Sequence, residues 1–285
     1  MLTVLESITL STDFLEKKGI ESPRMNAELL LAEILNCKRL DLYLAFDRPL
    51  VDKEIVKYRE FISRRGKFEP LQYILGKVEF YGLEFKVNRS VLIPRQETEI
   101  LIDTIKEGVN NSHPLKILDI GCGSGNISIT LAKNLTNSTV LGIDISKEAI
   151  ETALINMKNN DCEKNVEFNI ADIMDVNFAN SYSGFDIIVS NPPYVSESEY
   201  QNLQKEIINY EPPTAVTDGN DGYKFYRRIS EVSAEILNPN GKLYFEAGAG
   251  QAEKIKTIMT DNGFTNIRFA KDYLGIDRVI HGEKL

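Results

Sequence analysis

Cysteine and histidine are scarce in this chain of 285 residues, which has three cysteines and two histidines. Cys37, Cys122 and Cys162 are far apart and form neither a disulfide framework nor a zinc-binding spacing. We therefore expect no metal site and a reducing, cytoplasmic environment. His113 and His281 are also widely separated, and we expect both of them at the surface or in loops.

Long apolar runs are also missing. No run approaches the roughly 20 residues that a helix needs to span a bilayer. The N-terminal stretch "MLTVLESITLSTDFLEKKG" places acidic residues among its apolar positions. A secretory signal would instead open with basic residues and a continuous apolar segment. We expect no secretion signal and no membrane partner.

The chain also lacks an excess of basic residues. Its net charge is −9 and its pI is near 5.0. Proteins whose main partner is nucleic acid usually present a basic surface. The acidic balance weakens every nucleic-acid hypothesis, although a local basic patch is compatible with it. The length is sufficient for one or two domains with a substantial core.

The first 76 residues have the apolar spacing of helices and contain no clear strand. One predicted helix places four apolar side chains near one face: Leu5, Ile8, Phe14 and Leu15. A second helix should begin at Ser22 as N-cap with Pro23 in its first turn, and a third at Asp52. We therefore predict a small helical bundle as a separate domain, residues 1–76.

From residue 77 onward the pattern changes to strands. Residues 78–94 predict a β-hairpin, which would link the two domains, and strand-like and helix-like segments alternate after it. The predicted strands are "LKILDI", "TVLGIDI", "NVEFNIAD", "FDIIVSN" and "GKLYFEAG". Such alternation is typical of a parallel sheet with helices on both faces. Because "TNIRFAKDYLGIDRVIHG" reads as two adjacent strands, we expect an α/β, Rossmann-like domain over residues 77–285 that ends in an antiparallel hairpin.

A glycine-rich loop, "DIGCGSGN", follows the first strand of this sheet. Gly121, Gly123 and Gly125 allow sharp turns and close approach of a ligand, and the next helix presents free N–H groups. A dinucleotide fingerprint would need a third glycine at Asn126. The spacing found here, with Asp119 two residues earlier, favours a cofactor without a pyrophosphate, of which S-adenosyl-L-methionine is the common one. A simple tight turn is the alternative.

Acidic residues follow the next two strands. Asp144 stands about 20 residues beyond the loop, where a carboxylate can accept both ribose hydroxyls of a nucleoside. Asp172 could meet the adenine amino group, and Ile173 could lie on the ring face. Asp172 can equally be explained as a helix cap.

The motif "SNPPY" follows the fourth strand, so Asn191 should emerge at the same edge as Gly121. Pro192 and Pro193 lack N–H groups but offer carbonyl acceptors on a stiff backbone, and Tyr194 adds a flat face. Two rigid acceptors suit an –NH₂ group on a planar system, whose lone pair can then be turned toward an incoming methyl carbon. Catalysis would come from positioning, with no strong general base. A plain diproline turn is the alternative.

These motifs resemble the HemK/PrmC family of class I methyltransferases. Further segments are similar to that family: "IPRQETE", "YEPPTAVTDGNDGYKFYRRI", "EAGAGQ" and "DYLGIDRVIHG". The family methylates the side-chain amide of the glutamine in the Gly-Gly-Gln motif of class 1 peptide chain release factors. The chain departs from its usual pattern at Gln96, where proline is usual, and at Ile173, where an aromatic residue is frequent.

The resemblance implies roles for individual residues. Gly121 to Gly125, Asp144 and Asn191 are the cofactor contacts that it implies. The full set of predicted contacts to S-adenosyl-L-methionine is Asp119, Gly121, Cys122, Gly123, Ser124, Gly125, Asp144, Asp172, Ile173 and Asn191. The implied glutamine-binding residues are Asn191, Pro192, Pro193 and Tyr194, of which Asn191, Pro192 and Tyr194 would be catalytic. The Arg95–Glu99 loop would line the same pocket, although Arg95 and Glu97 could form only a structural ion pair. Glu211 could likewise lie in a plain surface loop. The helical domain would dock the protein substrate or, alternatively, only cover the sheet domain.

Three other functions remain open at this point. A ribosomal-protein glutamine methyltransferase would share the pocket and differ in its N-terminal domain. A DNA or RNA amino-methyltransferase would need a basic channel or a target-recognition domain, which neither the charge nor the short helical region indicates. A non-catalytic cofactor-binding scaffold would be expected to lose the asparagine or the glycines, and both are intact.

Overall fold

The computed structural model describes residues 2–109 and 113–285. The chain divides into two compact units. The first unit comprises the chain up to Lys77 together with Gln204–Tyr210, and the second comprises Val78–Leu203 and Glu211–Leu285. The return of Gln204–Tyr210 to the first unit was not foreseen.

Helices and strands are numbered in chain order. The helices are α1 (Val4–Lys17), α2 (Pro23–Leu35), α3 (Asp52–Arg65), α4 (Leu71–Leu75), α5 (Thr98–Gly108), α6 (Asn126–Asn134), α7 (Lys147–Asn159), α8 (Phe178–Ser181), α9 (Glu197–Tyr200), α10 (Lys205–Tyr210), α11 (Pro213–Val216), α12 (Lys224–Ile236) and α13 (Ala252–Asp261), with a 3-10 helix at Arg39–Leu44. The strands are β1 (Lys77–Phe80), β2 (Leu83–Lys86), β3 (Leu115–Ile120), β4 (Ser138–Asp144), β5 (Val166–Ile170), β6 (Phe185–Ser190), β7 (Leu237–Glu246), β8 (Phe264–Lys271) and β9 (Asp277–Lys284).

The first unit is helical, as predicted. Helix α1 begins with a capping box, in which the Thr3 hydroxyl accepts from the Glu6 N–H and the Glu6 carboxylate accepts from the Thr3 N–H. Its buried face contains Ile8 and Leu15. The prediction was wrong for the other two members of that face, since Leu5 and Phe14 are each 39% exposed.

Two predicted helix starts differ in detail. Helix α2 has Pro23 in its first turn, but the Ser22 side chain makes no capping hydrogen bond to it within the described chain. Ser22 adopts the left-handed region with φ 48°, whereas a capping serine normally has extended backbone. Asp52 is the first helical residue of α3, and Val51 precedes it as N-cap.

The second unit contains a seven-stranded sheet in the order β5-β4-β3-β6-β7-β9-β8. Strands β3 to β7 pair in parallel, and β9 runs antiparallel between β7 and β8. The predicted α/β fold with an antiparallel C-terminal hairpin is therefore confirmed. Strands β1 and β2 form a separate two-stranded sheet.

Alternate side chains of each central strand enter different cores because successive side chains of a strand point to opposite faces. Ile117 packs with residues of α5, α6 and α7 on one face. Leu118 packs with residues of α12 and α13 on the other. The pairing also aligns the carboxyl ends, since Ile120 is opposite Ile143 on one side and Ser190 on the other. The loops after these strands consequently meet at one edge.

The stretch between β6 and α12 forms three short helices, α9, α10 and α11. His281 differs from its prediction, because it lies in β9 with its ring stacked on Tyr244 at a centroid distance of 4.9 Å. Strand β9 is paired on both sides, so this histidine is an internal residue of the sheet.

Across residues 2–109 and 113–285, no helix combines the length and apolar character required to cross a membrane. The same residues contain no cluster of three or more histidine, cysteine, aspartate or glutamate side chains placed to hold a metal ion.

Candidate active site

A cavity of about 710 Å³ lies at the carboxyl edge of the parallel strands. This volume falls within the range of about 300–1,000 Å³ that is usual for small-molecule sites. Ten of the residues predicted for the site line it: Gly121, Cys122, Gly123, Ser124, Asp144, Asp172, Ile173, Asn191, Pro192 and Pro193. Asp119, Gly125 and Tyr194 were predicted with them, but they do not line the cavity.

The glycine loop leaves room for a ligand at two of its three glycines. Gly121 and Gly123 have φ values of 74° and 53°, which L side chains rarely adopt, and a Cβ on either would meet no atom within 4 Å. The backbone N–H groups of Gly121 and Cys122 both donate to the Ile143 carbonyl at 2.9 Å. The loop is therefore tied to β4 while its glycines face open space.

Gly125 has a different role from the one expected. A Cβ at this position would lie 2.7 Å from Phe168 Cζ and 3.2 Å from Ala153 Cβ. Its N–H donates to the Cys122 carbonyl at 2.8 Å, and α6 begins at the next residue. Gly125 thus allows helix α6 to pack closely against α7 and β5, behind the cavity wall.

Asp119 also lies behind the wall. Its side chain is fully buried, and Oδ2 accepts from the Ser128 N–H at 3.1 Å and from the Ser128 hydroxyl at 2.5 Å. Burial, with a smaller contribution from the charge of Asp144, raises the pKa of Asp119 to about 7. The carboxyl group therefore anchors the first turns of α6.

Asp144 is half-buried in the cavity wall, and both of its oxygens are already hydrogen-bonded. Oδ2 accepts from the Gly123 N–H and Oδ1 from the Ser146 N–H, each at 2.9 Å. A carboxylate has about four lone-pair positions, so each oxygen can accept one further hydrogen. A pair of adjacent hydroxyls, such as a ribose diol, matches this arrangement.

Asp172 and Ile173 lie in the loop after β5. Asp172 is exposed, and its Oδ1 accepts from the Met174 N–H at 2.8 Å. This bond forms a local turn, so Asp172 does not cap a helix as the alternative interpretation had it. Ile173 is buried and lines the cavity with its apolar side chain. Asp172 thus offers an acceptor, and Ile173 offers an apolar surface on which a planar ring can pack.

The asparagine and prolines after β6 line the cavity together. Asn191 Nδ2 donates to Thr98 Oγ1 at 3.4 Å, and that hydroxyl donates to Glu246 Oε2 at 2.6 Å. Thr98 and Glu246 are both buried. Thr98 belongs to the 95–99 loop that was predicted to line the pocket, whereas Glu246 was not predicted as a site residue.

Tyr194 lies beside this ledge with its phenol largely buried. Burial raises the pKa of Tyr194 to about 12, so the phenol is neutral at physiological pH and does not act as a base. The Tyr194 carbonyl accepts from Gln251 Nε2 at 2.9 Å, and Gln251 Oε1 accepts from the Gly248 N–H at 3.1 Å. Gln251 therefore holds the backbone after the two prolines against the loop after β7.

Arg95 lines the cavity and pairs with Glu211, not with Glu97. Arg95 Nη2 and Glu211 Oε1 are 2.5 Å apart, and Glu211 Oε2 accepts from the Ile93 N–H at 3.4 Å. Glu211 is buried, so it does not belong to a plain surface loop. The ion pair fixes the 91–97 loop at one wall of the cavity.

The cavity wall fits S-adenosyl-L-methionine in its chemistry. Open space at Gly121 and Gly123 accommodates close approach of a ligand, and Asp144 provides acceptors for a diol. Further lining residues were not predicted from the sequence, among them Ser90, Asn126, Ser146, Thr214, Lys224 and Phe225. They come from two loops and from the first turns of helices α6, α11 and α12, and only the fold brings them together.

Two family models match the chain, the PrmC N-terminal domain at residues 6–76 and a methyltransferase domain at residues 111–275. The release factor glutamine methyltransferase of Fusobacterium nucleatum is 41% identical, over 98% of this chain and 78% of the relative. The enzyme of the same name from Geobacter sulfurreducens is 39% identical, over 98% and 96%.

Among solved structures, a methyltransferase from Pyrococcus furiosus has a TM-score of 0.51 at 21% identity, over 72% of this chain and 90% of that one. This likeness concerns the fold. The sequence matches extend over both predicted regions of the chain, and they confirm the resemblance found in its motifs. The chain belongs to the release factor glutamine methyltransferases, and S-adenosyl-L-methionine is its methyl donor.

Proposed function

We propose that this protein methylates the side-chain amide nitrogen of a glutamine in a class 1 peptide chain release factor, the glutamine of its Gly-Gly-Gln motif. The observation that carries this proposal is the position of Asn191, Pro192 and Pro193 in the same cavity wall as Gly121 and Gly123. A methyl donor and a planar amide can therefore share one cavity. The relatives' names support a release factor as the substrate. Because release factors act in translation, we expect the reaction to take place in the cytoplasm.

The cofactor would be held by residues of three loops. Asp144 would accept from the ribose hydroxyls, Asp172 would accept from the adenine amino group, and Ile173 would pack on the ring. The backbone at Gly121 and Gly123 would approach the methionine part closely. When bound, the cofactor supplies an electrophilic methyl group on a sulfonium centre.

The chain's own contribution to the reaction is orientation. Asn191 Oδ1 and the Pro192 carbonyl would accept the two hydrogens of the substrate amide. Holding both hydrogens in one plane directs the nitrogen lone pair out of that plane, toward the methyl donor. Since the neutral phenol of Tyr194 is no base, rate enhancement would come from positioning and preorganised acceptors. The surplus proton can leave the nitrogen after methylation.

The proposal is tested by transfer of a labelled methyl group to purified release factor. We expect labelling of the wild-type factor and none of a factor whose Gly-Gly-Gln glutamine is replaced by alanine. A ribosomal-protein fraction and an oligonucleotide serve as competing substrates. Labelling of either competitor in preference to the factor, or equal labelling of the alanine factor, would overturn the assignment.

We further propose that the helical first unit docks the release factor. An isolated glutamine offers too little surface for selection, and the 3-10 helix at Arg39–Leu44 exposes Leu40 and Leu44 by 70% and 90%. Because Gln204–Tyr210 belongs to the first unit, deleting residues 1–75 would also remove the packing partners of that segment. Surface substitutions are therefore the cleaner test.

The double variant Leu40→Asp, Leu44→Asp should raise the KM for the intact release factor and leave cofactor affinity unchanged. Leu285→Asp is the matched control, since it is 84% exposed. It directly follows β9, which runs antiparallel to β7, and it therefore lies at the sheet edge opposite the cavity. An unchanged KM in the double variant would argue that this part of the first unit does not dock the substrate.

A further inference from the structure

A buried polar pair lies directly behind Asn191. Thr98 is the first residue of α5 and Glu246 is the last residue of β7, and both are 2% exposed. Thr98 lines the cavity and Glu246 does not, and the polar atoms of the two side chains are joined to each other. The Thr98 hydroxyl donates to Glu246 Oε2 at 2.6 Å.

The direction of these hydrogen bonds determines which way the Asn191 amide is turned. A hydroxyl has one hydrogen, and that of Thr98 is used by the Glu246 carboxylate. Thr98 Oγ1 can then only accept, and it accepts from Asn191 Nδ2 at 3.4 Å. The Asn191 side chain is also near enough to Glu246 to lower the pKa of that carboxyl group. A flipped amide would place its oxygen against a hydroxyl lone pair and a carboxylate, which is unfavourable in a buried site.

We infer that Glu246 is a positioning residue, which acts through Thr98 to keep the Asn191 amide oxygen facing the substrate. The inference rests on the proposed function, because it assigns a task to the residue that the proposal places against the substrate amide. It concerns a residue behind the site, with no contact to substrate or cofactor.

The surroundings of Glu246 make this role dependent on pH. Burial raises the pKa of Glu246 to about 7. The negative charge of Glu97 also raises this pKa, whereas the positive charge of Arg278 lowers it. The phenols of Tyr194 and Tyr226 also face this carboxyl group and are neutral. Once protonated, Glu246 can donate a hydrogen, and the flipped Asn191 amide is no longer disfavoured. The transfer rate should therefore rise with pH through about 7.

The test compares Glu246→Gln, Thr98→Val and Thr98→Ser with the wild-type protein, using release factor as substrate between pH 6 and 9. We expect kcat to fall about tenfold or more in Glu246→Gln and Thr98→Val, in line with the loss of a hydrogen bond to a charged group. The affinity for S-adenosyl-L-methionine, measured by calorimetry, should stay within about twofold of wild type. Thr98→Ser keeps the hydroxyl and should retain most of the activity.

Asp119→Asn is the control for the pH profile, because Asp119 also has a pKa of about 7. The rise in kcat near pH 7 should vanish in Glu246→Gln and persist in Asp119→Asn. A Glu246→Gln profile and rate equal to wild type would refute the inference alone. Absence of any transfer by the wild-type protein would instead refute the proposed function. If Glu246→Gln fails to fold, an unchanged kcat in Thr98→Val is the refuting result.

Discussion

Two glycines of the cofactor loop provide a test that separates space needed by the ligand from space needed for packing. Gly121 and Gly125 have nearly the same backbone, with φ values of 74° and 79°. Alanine at Gly121 would project into open space beside the cavity, whereas alanine at Gly125 would lie 2.7 Å from Phe168 Cζ. Gly275, in the hairpin between β8 and β9, has φ 79° and open space around it. It is the matched control, since it lies outside the cavity wall.

The expected destabilisation follows from these contacts. An L residue in the left-handed region costs about 1–2 kcal/mol relative to glycine, and this cost applies to all three alanine variants. Gly125→Ala adds overpacking against Phe168 and Ala153, which costs about 1–3 kcal/mol more. The free energy of unfolding should thus fall by about 1–2 kcal/mol in Gly121→Ala and Gly275→Ala, and by about 2–5 kcal/mol in Gly125→Ala.

Cofactor affinity should respond differently from stability, because the space beside Gly121 is the space that the ligand needs. The added methyl group of Gly121→Ala occupies space that the ligand needs, so we expect its Kd for S-adenosyl-L-methionine to rise at least about tenfold, equivalent to about 1.4 kcal/mol. Gly275→Ala should bind as wild type does. Urea unfolding and calorimetry measure the two quantities separately. If Gly125→Ala were no less stable than Gly275→Ala, or if Gly121→Ala bound the cofactor normally, the assignment of the two glycines would be wrong.

Four further variants, at three residues, test other parts of the site and its support. Asp144→Ala should weaken cofactor binding in calorimetry by removing the diol acceptor, with an unchanged circular dichroism spectrum. Asn191→Ala should abolish methyl transfer far more than it weakens cofactor binding, and near wild-type turnover would contradict its role; Asn191→Asp should keep part of the activity. Asp119 has a pKa raised from 3.8 to about 7 in the folded state, so the folded protein holds this proton more tightly than the unfolded chain and loses stability as pH rises from about 4 to 7. Asp119→Asn should therefore gain stability relative to wild type over that interval, and a parallel pH dependence of urea unfolding in both proteins would contradict it.

The parallel sheet and its main site residues were predictable because their signals are local. Strands such as Phe185–Ser190 are short apolar runs that end in turn residues, which is the pattern of a strand buried on both faces. Parallel strands bring their carboxyl ends to one edge. Knowing the strand ends was therefore sufficient to place Gly121, Asp144 and Asn191 near one another.

The return of Gln204–Tyr210 to the first unit could not be predicted in this way. Its contacts join residues far apart in sequence, as in the ion pair of Glu206 with Arg65 and the bond from the Tyr210 hydroxyl to the Lys67 carbonyl at 2.9 Å. A six-residue helix carries too little periodicity to indicate its partner. The sequence offered no local signal for this pairing.

Glu246, behind the cavity wall, was missed for a related reason, although one signal was present. Glu246 ends the apolar run "KLYFE", and an acidic residue next to a buried strand must find a hydrogen-bonding partner or stay neutral. That pattern indicates a buried carboxyl group. It does not identify Thr98, which lies 148 positions earlier in the chain.

The placement of the carboxyl groups agrees with the chemistry of the proposed reaction. The wall that would face the transferred methyl group presents neutral acceptors, the Asn191 amide and the Pro192 carbonyl. Glu246 and Asp119 lie one layer behind, each bound to a hydroxyl that belongs to Thr98 or Ser128. A carboxylate in direct reach of a sulfonium methyl would itself be a nucleophile and could compete with the weakly nucleophilic amide of the substrate. Buried carboxylates behind the wall can orient the neutral acceptors without that competition, so the polar side chains are held in place while the amide nitrogen remains the nucleophile beside the methyl group.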